Sequence, residues 1–266
     1  KLAEEIRLAK DFCFAQNCYG AESYIKGFSG YALELLVSYY GSFLKFIKTI
    51  KESKEQQQII LDPKKFYKNK QEILLELNEA KLQSPIVFVD PTFKERNALA
   101  AISLETFEKF KKACGEFLAR PSDKFFEKQN LEKELKKKYK NLIIIEIKTN
   151  KQKGDIAGSK LKKFYEFFTN KLRKHHDIKI KEFEYNESKN MGKIYLISKQ
   201  KKAIVIEGPP IIKVGHLVNF KKKHKKCFIK KGRAYAHEKT LSLKEIITNL
   251  TKDKILKEMD ITKVEL

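Results

Sequence analysis

The residues best suited to chemistry stand near the start of the chain: Tyr19-Gly20-Ala21-Glu22, followed by Gly27-Phe28-Ser29-Gly30-Tyr31. Two glycines around a serine just before a helix make a tight turn whose backbone N–H groups face a phosphate. The same residues serve equally as a turn and an N-terminal cap, and the pattern alone leaves both readings open. A second group is cationic: Lys221, Lys222, Lys223, Lys225 and Lys226 form one run around His224, with Lys213, His216 and Arg233 nearby. Such a run supplies charge for phosphates. Metal chemistry finds less support. His224-x-x-Cys227 is a lone pair, His175 and His176 point in different directions at a helix end, and Glu182-Phe-Glu184 reads as two surface carboxylates on one face of a strand. No metal-ligand set is expected in this chain.

Composition narrows the partner. Lys and Arg total 57 against 34 Asp and Glu, a net charge of +23 spread along all 266 residues, so the expected partner is a polyanion. Nucleic acid and an anionic membrane both reward such charge. No apolar run approaches the ~20 residues needed to span a bilayer, and no signal-peptide arrangement opens the chain, which favours an RNA partner, no membrane and a cytoplasmic location. Cys13, Cys18, Cys114 and Cys227 are too few and too scattered for a disulfide framework and read as reduced thiols. The first residue is Lys1, and the stretch from Leu2 to Phe14 is already an amphipathic helix in progress, so a preceding segment is expected.

These groups need elements to hold them. Leu33, Leu36, Val37, Tyr40, Phe43, Leu44 and Ile47 recur at helical spacing and predict one long helix from Ala32 to about Ile50. Asp62-Pro63 reads as the start of a short helix, Pro85 to Asp90 as a buried strand ending in an Asp-Pro turn, and Leu104 to Leu118 as another helix. At Pro121 the pattern changes. A charged helix or linker from Lys124 to Lys140 leads to a strand at Leu142–Thr149, a helix from Ser159 to about His175, and strands at Ile178–Tyr185, Lys193–Lys199 and Ala203–Glu207. The helix opening at Ser159 interleaves lysines with Phe164, Tyr165, Phe167 and Phe168, rings assigned to the core. Two short strands, Cys227–Lys230 and Arg233–His237, precede a last helix that opens with the capping box Ser242-x-x-Glu245. The expected fold class is α+β: a mainly helical domain over residues 1–126, then a ferredoxin-like antiparallel α+β domain with a C-terminal tail over 127–266.

The ordered string YGAE, GFSGY, ELL and YYGSF, then Val89-Asp90-Pro91 and Arg96-Asn97 with Ala98, Ala100, Ala101 and Ser103, closed by Pro121-Ser122 and Phe125-Phe126, is similar to the central domain of archaeal-type (class I) CCA-adding tRNA nucleotidyltransferases. Glu207-Gly-Pro-Pro210 and Gly232-Arg233 resemble that family's C-terminal part. The resemblance is close over residues 1–126 and looser beyond. It implies that Lys10, nine residues before Tyr19, contacts the triphosphate, where an ammonium offsets charge on the departing pyrophosphate. It implies that the Tyr19 hydroxyl reaches the same phosphates, that Ser29 is a further phosphate contact, and that Arg96 uses its fixed fork of donors to tell C and A from other bases. Against these stand plainer readings: Lys10 as a solvated lysine, Tyr19 as a capping aromatic, Arg96 as a partner for Asp90 or Glu95.

The family's two Mg²⁺ ions sit on a D/E-x-D/E pair after a Gly-Ser turn, and here neither Gly41-Ser42 nor Gly158-Ser159 is followed by such a pair. The expectation is a chain without the catalytic residues, whose head domain is supplied elsewhere, in cis or in trans, and holds the Mg²⁺. CTP and ATP are then the substrates, tRNA the partner, the cationic residues from Lys213 to Arg233 its contact surface, with dimerisation left open. The rival reading is a non-catalytic RNA-binding module derived from the same family.

Overall fold

Helical periodicity at the start of the chain becomes α1 (Leu2–Ala15), which buries Ala9, Phe12, Cys13 and Ala15. The single helix expected from Ala32 to Ile50 is two, α2 (Gly30–Tyr40) and α3 (Phe43–Glu52). Gly41 adopts φ +82° and closes α2, while Ser42 caps α3 by accepting from the Lys45 N–H at 3.3 Å. A left-handed C-cap directly before an N-cap breaks a helix without disturbing its apolar spacing, so periodicity alone reads straight through it.

After α3 come β1 (Ile59–Leu61), α4 (Lys70–Glu76), α5 (Glu79–Leu82), β2 (Ile86–Asp90) and β3 (Phe93–Asn97). Asp62-Pro63 does not open a helix: Asp62 accepts from the Tyr67 N–H at 2.9 Å in an irregular turn, and the helix waits for Asn69, which caps α4. β2 is buried at all five positions, as its apolar run predicts, and lies between β1, parallel to it, and β3, antiparallel. β3 leaves no trace in the pattern because its first four residues are exposed and polar or isolated, with no alternation. Its last residue, Asn97, is buried and holds the irregular register by accepting from the N–H groups of Phe88 (3.0 Å) and Leu99 (2.9 Å). α6 (Leu104–Ala119), a 3₁₀ turn at Asp123–Phe126 and α7 (Leu131–Lys138) follow. Phe12, Phe28, Phe46 and Phe110 form the aromatic centre of this half, with Phe125 and Phe126 against Phe12.

This computed structural model describes residues 1–54, 57–128, 130–224, 226–252 and 254–266, and the chain divides into two units, Lys1–Glu134 and Leu135–Leu266. The break falls within α7, later than the domain boundary expected at residue 126.

The second unit contains β4 (Ile143–Lys148), α8 (Gly154–His175), β5 (His176–Asn186), β6 (Met191–Gln200), β7 (Ile204–Pro210), α9 (Val214–Lys223), β8 (Cys227–Lys230), β9 (Arg233–Glu238), α10 (Leu243–Lys252), α11 (Ile255–Glu258) and β10 (Lys263–Glu265). One antiparallel sheet runs β10-β4-β6-β5, with α8 linking its first two strands and α10 preceding its last, which is the split βαββαβ arrangement of a ferredoxin-like fold. Phe164, Phe168 and Leu172 of α8 pack with Ile145, Ile194 and Ile246 as its core. α8 begins at Gly154 instead of Ser159, so Gly158-Ser159 lies inside a helix, where Ser159 donates back to the Asp155 carbonyl at 2.7 Å.

β7, which follows β6 directly in the chain, leaves for a second sheet of order β7-β9-β8. Both sides of β6 are already occupied by β4 and β5, so the following strand has no place there. The excursion returns at a fixed point. Gln200 donates to the Thr240 hydroxyl (3.0 Å), Thr240 donates to the Lys201 carbonyl (2.8 Å), and the buried His176 ring meets the Leu241 carbonyl at 3.0 Å. α10 then opens with the expected capping box: Ser242 N–H to Glu245 at 2.7 Å and Glu245 N–H to Ser242 Oγ at 3.3 Å.

Gly27 is where the chain crosses itself. A Cβ there would lie 2.1 Å from the Cys18 carbonyl oxygen, a backbone atom that cannot step aside. Gly27→Ala is therefore expected to destabilise the protein by about 2 kcal/mol or more, read from its urea midpoint.

Candidate functional site

The loop between α1 and α2 is clipped shut by backbone bonds: Phe28 N–H to the Cys18 carbonyl, Gly20 N–H to the Phe28 carbonyl and Gly27 N–H to the Gly20 carbonyl, each 2.8 Å. These bonds set Tyr19 against the turn that starts α2. Ser29 is the N-cap, its Oγ accepting from the Ala32 N–H at 3.1 Å. A Cβ on Gly30 would stand 3.1 Å from Tyr19 Oη and 3.7 Å from Lys10 Nζ, so the glycine allows phenol and ammonium to close over the first turn of α2. The structure thus brings Lys10, Tyr19 and Ser29 together at a helix N-terminus, where the dipole and the unpaired N–H groups favour an anion.

Lys10 Nζ lies 2.7 Å from Glu34 Oε1, one turn along α2. This hydrogen bond raises the lysine pKa above its ordinary value, against desolvation and with help from the Glu34 charge, so the ammonium stays protonated. In the sequence Glu34 is only the first letter of the ELL motif, with no role attached; in the structure it occupies the Lys10 ammonium.

Arg96 stands in a neighbouring group reached through Tyr31, also in the first turn of α2. Asp90 is fully buried: its Oδ1 accepts from the Tyr31 hydroxyl (2.9 Å), the Thr92 N–H (2.9 Å) and the Thr92 hydroxyl (2.7 Å), and its Oδ2 lies 3.3 Å from Arg96 Nε. Burial pushes the Asp90 carboxyl upward, but the hydrogen bonds from Thr92 and Tyr31 and the Arg96 charge outweigh it and hold the pKa below the usual carboxylate value. The plainer reading of Arg96 as a partner of Asp90 is therefore correct at Nε. Yet the side chain remains 53% exposed, with the guanidinium carbon 5.5 Å from the Tyr31 ring centroid. A guanidinium held at Nε and against a ring presents its far edge in a fixed direction. In the sequence Asp90 and Tyr31 are motif letters only; their role needs the fold.

The cationic candidates fall into separate places. Lys213 precedes α9 as its N-cap, and Lys221, Lys222 and Lys223 occupy its last turn, at the other end of a helix about 15 Å long. His216 is exposed on the same helix, and Lys225 lies outside the described residues. Lys226 stands just before β8, and Arg233 opens β9 of the small sheet, where it pairs with Glu207.

Among the described residues, no group of three or more His, Cys, Asp or Glu side chains is placed to hold a metal ion. The donor set does not fit Mg²⁺, since Glu34 and Asp90 are each committed to a cation. Glu184, expected on the surface, accepts from the Tyr195 hydroxyl at 2.8 Å and is half-buried. His224 Nδ1 pairs with Glu238 at 2.7 Å, and Cys227 donates to the His224 carbonyl. Among the described residues no helix is long and apolar enough to cross a membrane.

The family described as "tRNA nucleotidyltransferase, second domain" matches residues 4–127, the span that holds Lys10, Tyr19, Ser29 and Arg96. The CCA-adding enzyme of Nanoarchaeum equitans is 30% identical over 251 residues, 92% of this chain and 60% of that protein. That of Methanocaldococcus jannaschii is 29% identical over 245 residues, 89% of this chain and 53% of its own. That of Pyrococcus abyssi is 38% identical over 125 residues, 46% of this chain and 28% of its own. The chain spans less than two thirds of the length of these relatives.

Proposed function

We propose that the chain, similar to archaeal CCA-adding enzymes along most of its length, is a member of that tRNA nucleotidyltransferase family and positions substrates for addition of CCA to tRNA. Its first unit supplies part of the CTP and ATP pocket, and its second unit supplies tRNA-binding surface. The convergence of Lys10, Tyr19 and the α2 N-terminus carries this reading, because an ammonium, a phenol and free backbone donors suit a triphosphate tail. Arg96, oriented by Asp90 and Tyr31, is the reader of the base edge.

The transfer itself, attack of the tRNA 3′ hydroxyl on the α-phosphate with departure of pyrophosphate, is assigned to a head domain in cis or in trans, whose carboxylates hold Mg²⁺. The test is incorporation of CTP and ATP into tRNA ending before CCA. The 266-residue chain alone is expected to bind that tRNA and add nothing, and to support incorporation when mixed with a nucleotidyltransferase head from the same genome. Tight tRNA binding without incorporation, whatever head is supplied, would make the chain a binding module instead.

Two substitutions separate the assigned roles. Arg96→Ala in the reconstituted enzyme is expected to relax discrimination of C and A from other bases and to slow incorporation about tenfold, with tRNA affinity nearly unchanged. Changing Lys221, Lys222 and Lys223 to Gln should do the reverse: weaker tRNA binding and a slope of log K against log salt smaller by about one for each phosphate no longer neutralised, with base choice intact. Equal losses of tRNA affinity in both variants would overturn the assignment.

A further inference from the structure

The small sheet β7-β9-β8 has two unlike faces. Glu238 of β9 pairs with His224 at the C-cap of α9, and the Phe220 ring of α9 stands 2.7 Å from where a Cβ on Gly208 of β7 would be. Helix α9 therefore lies on the side of Ala234, Ala236 and Glu238, and both alanines are buried. The alternate residues of β9 point the other way, as the period of a strand requires.

On that open side three rings form a ladder. Phe228 is in register with Tyr235, their centroids 5.5 Å apart at 21°, and it stacks on His237 at 5.0 Å and 26°. Cross-strand ring pairs stabilise a sheet, so some packing value is expected of them anyway. These rings, however, belong to none of the hydrophobic clusters among the described residues, and His237 is exposed. Lys230 ends the edge strand β8 two residues after Phe228, on the same side as the rings, and Lys226 stands just before the strand, its carbonyl accepting from the His237 N–H at 3.0 Å; both lysines are exposed.

We propose that this open sheet face is a stacking platform for unpaired bases of an RNA, with Phe228, Tyr235 and His237 as the stacking surface and Lys226 and Lys230 as the phosphate contacts. Charge complementarity selects the partner: Lys226 and Lys230 flank the rings, and the one carboxylate opposite Tyr235, Glu207 of β7, is paired with Arg233, on a chain of net charge +23. Rings between cations meet a single strand or loop, whose bases offer open π-faces, whereas the bases of a duplex are already stacked. The inference rests on the reading of the chain as an RNA-binding protein, and it adds recognition of base faces to a contact otherwise made by charge.

The test uses the full chain and three labelled probes of equal phosphate number: a short single-stranded RNA, its abasic counterpart, and a blunt duplex. The base-containing strand is expected to bind about tenfold more tightly than the abasic one. Tyr235→Leu and His237→Ala should remove most of that preference and leave the salt slope unchanged, since stacking releases no counterions, while Tyr235→Phe retains it. Lys230→Gln should lower the slope and keep the preference. Circular dichroism identifies any variant that fails to fold, and the exposed His237→Ala then decides. Equal binding of the abasic strand, a preference for the duplex, tighter binding to phosphatidylserine vesicles than to RNA, or ring variants that change only the salt slope would each overturn the platform. Binding of CCA-less tRNA by the parent chain, measured alongside, tests the broader reading separately: its loss would sink that reading, while the oligonucleotide result stands on its own.

Discussion

Lys10→Met is expected to lower CTP and ATP incorporation by the reconstituted enzyme about hundredfold, the usual cost of removing one well-placed donor from a developing negative charge. Affinity for tRNA should stay within about twofold. The expectation follows from where Lys10 is held: beside Tyr19, over the first turn of α2, and 2.7 Å from Glu34. Glu34 holds the ammonium in place, and under the proposed role it yields Lys10 to a phosphate of the nucleotide. Glu34→Gln is accordingly expected to tighten binding of free pyrophosphate to the chain, measured by calorimetry, whereas Lys10→Met weakens it. A Lys10 variant that lost tRNA affinity and nucleotide rate in parallel would move the residue from the nucleotide pocket to the RNA surface.

Asp90→Asn should destabilise the protein by about 2 kcal/mol at neutral pH, because it removes the charge that three donors and Arg96 converge on inside a buried site. The pH dependence has a definite sign. The Asp90 pKa is lowered on folding, so its contribution is complete above the unfolded carboxyl value of about 4 and is lost as pH falls through the lower folded value. The stability gap between parent and variant should therefore be constant from neutral pH down to about 4 and narrow below it, in urea titrations at stepped pH. A gap that widened on acidification would contradict a charged Asp90. In the reconstituted enzyme the same variant should also blur base choice in the direction of Arg96→Ala, since Arg96 would lose its anchor at Nε.

Much of this arrangement is legible in the residues. Buried strand β2 declares itself as an uninterrupted apolar run, α6 by helical spacing after a serine cap, and α10 by its capping box. The ferredoxin-like order can be expected because a strand, a long helix and a hairpin follow one another. What stays hidden depends on contacts distant in sequence or on single backbone conformations. Gly41-Ser42 splits a helix at two residues without altering its apolar face. β3 is held by Asn97 and by its neighbour, with too little apolar character of its own to be seen. The departure of β7 is decided by which edges of another sheet are already occupied. At the site, Lys10, Tyr19 and Arg96 emerge from motif resemblance, whereas Glu34, Asp90 and Tyr31 acquire meaning only once α2 brings their neighbours within bonding distance. The rings of β8 and β9 read as ordinary strand residues until register sets them on one side.

The bonds among Gln200, Lys201 and Thr240, and that of His176 at the start of β5 to the Leu241 carbonyl, do more than end an excursion. They close the mouth of a loop on the chain's own framework, so that the ferredoxin-like sheet is completed whether the intervening segment is long or short. Since the entropy of closing a loop grows only with the logarithm of its length, doubling such a segment costs about 0.6 kcal/mol. The small sheet and α9 are in that sense a replaceable cartridge: the segment can be lengthened, trimmed or exchanged while the socket keeps its shape.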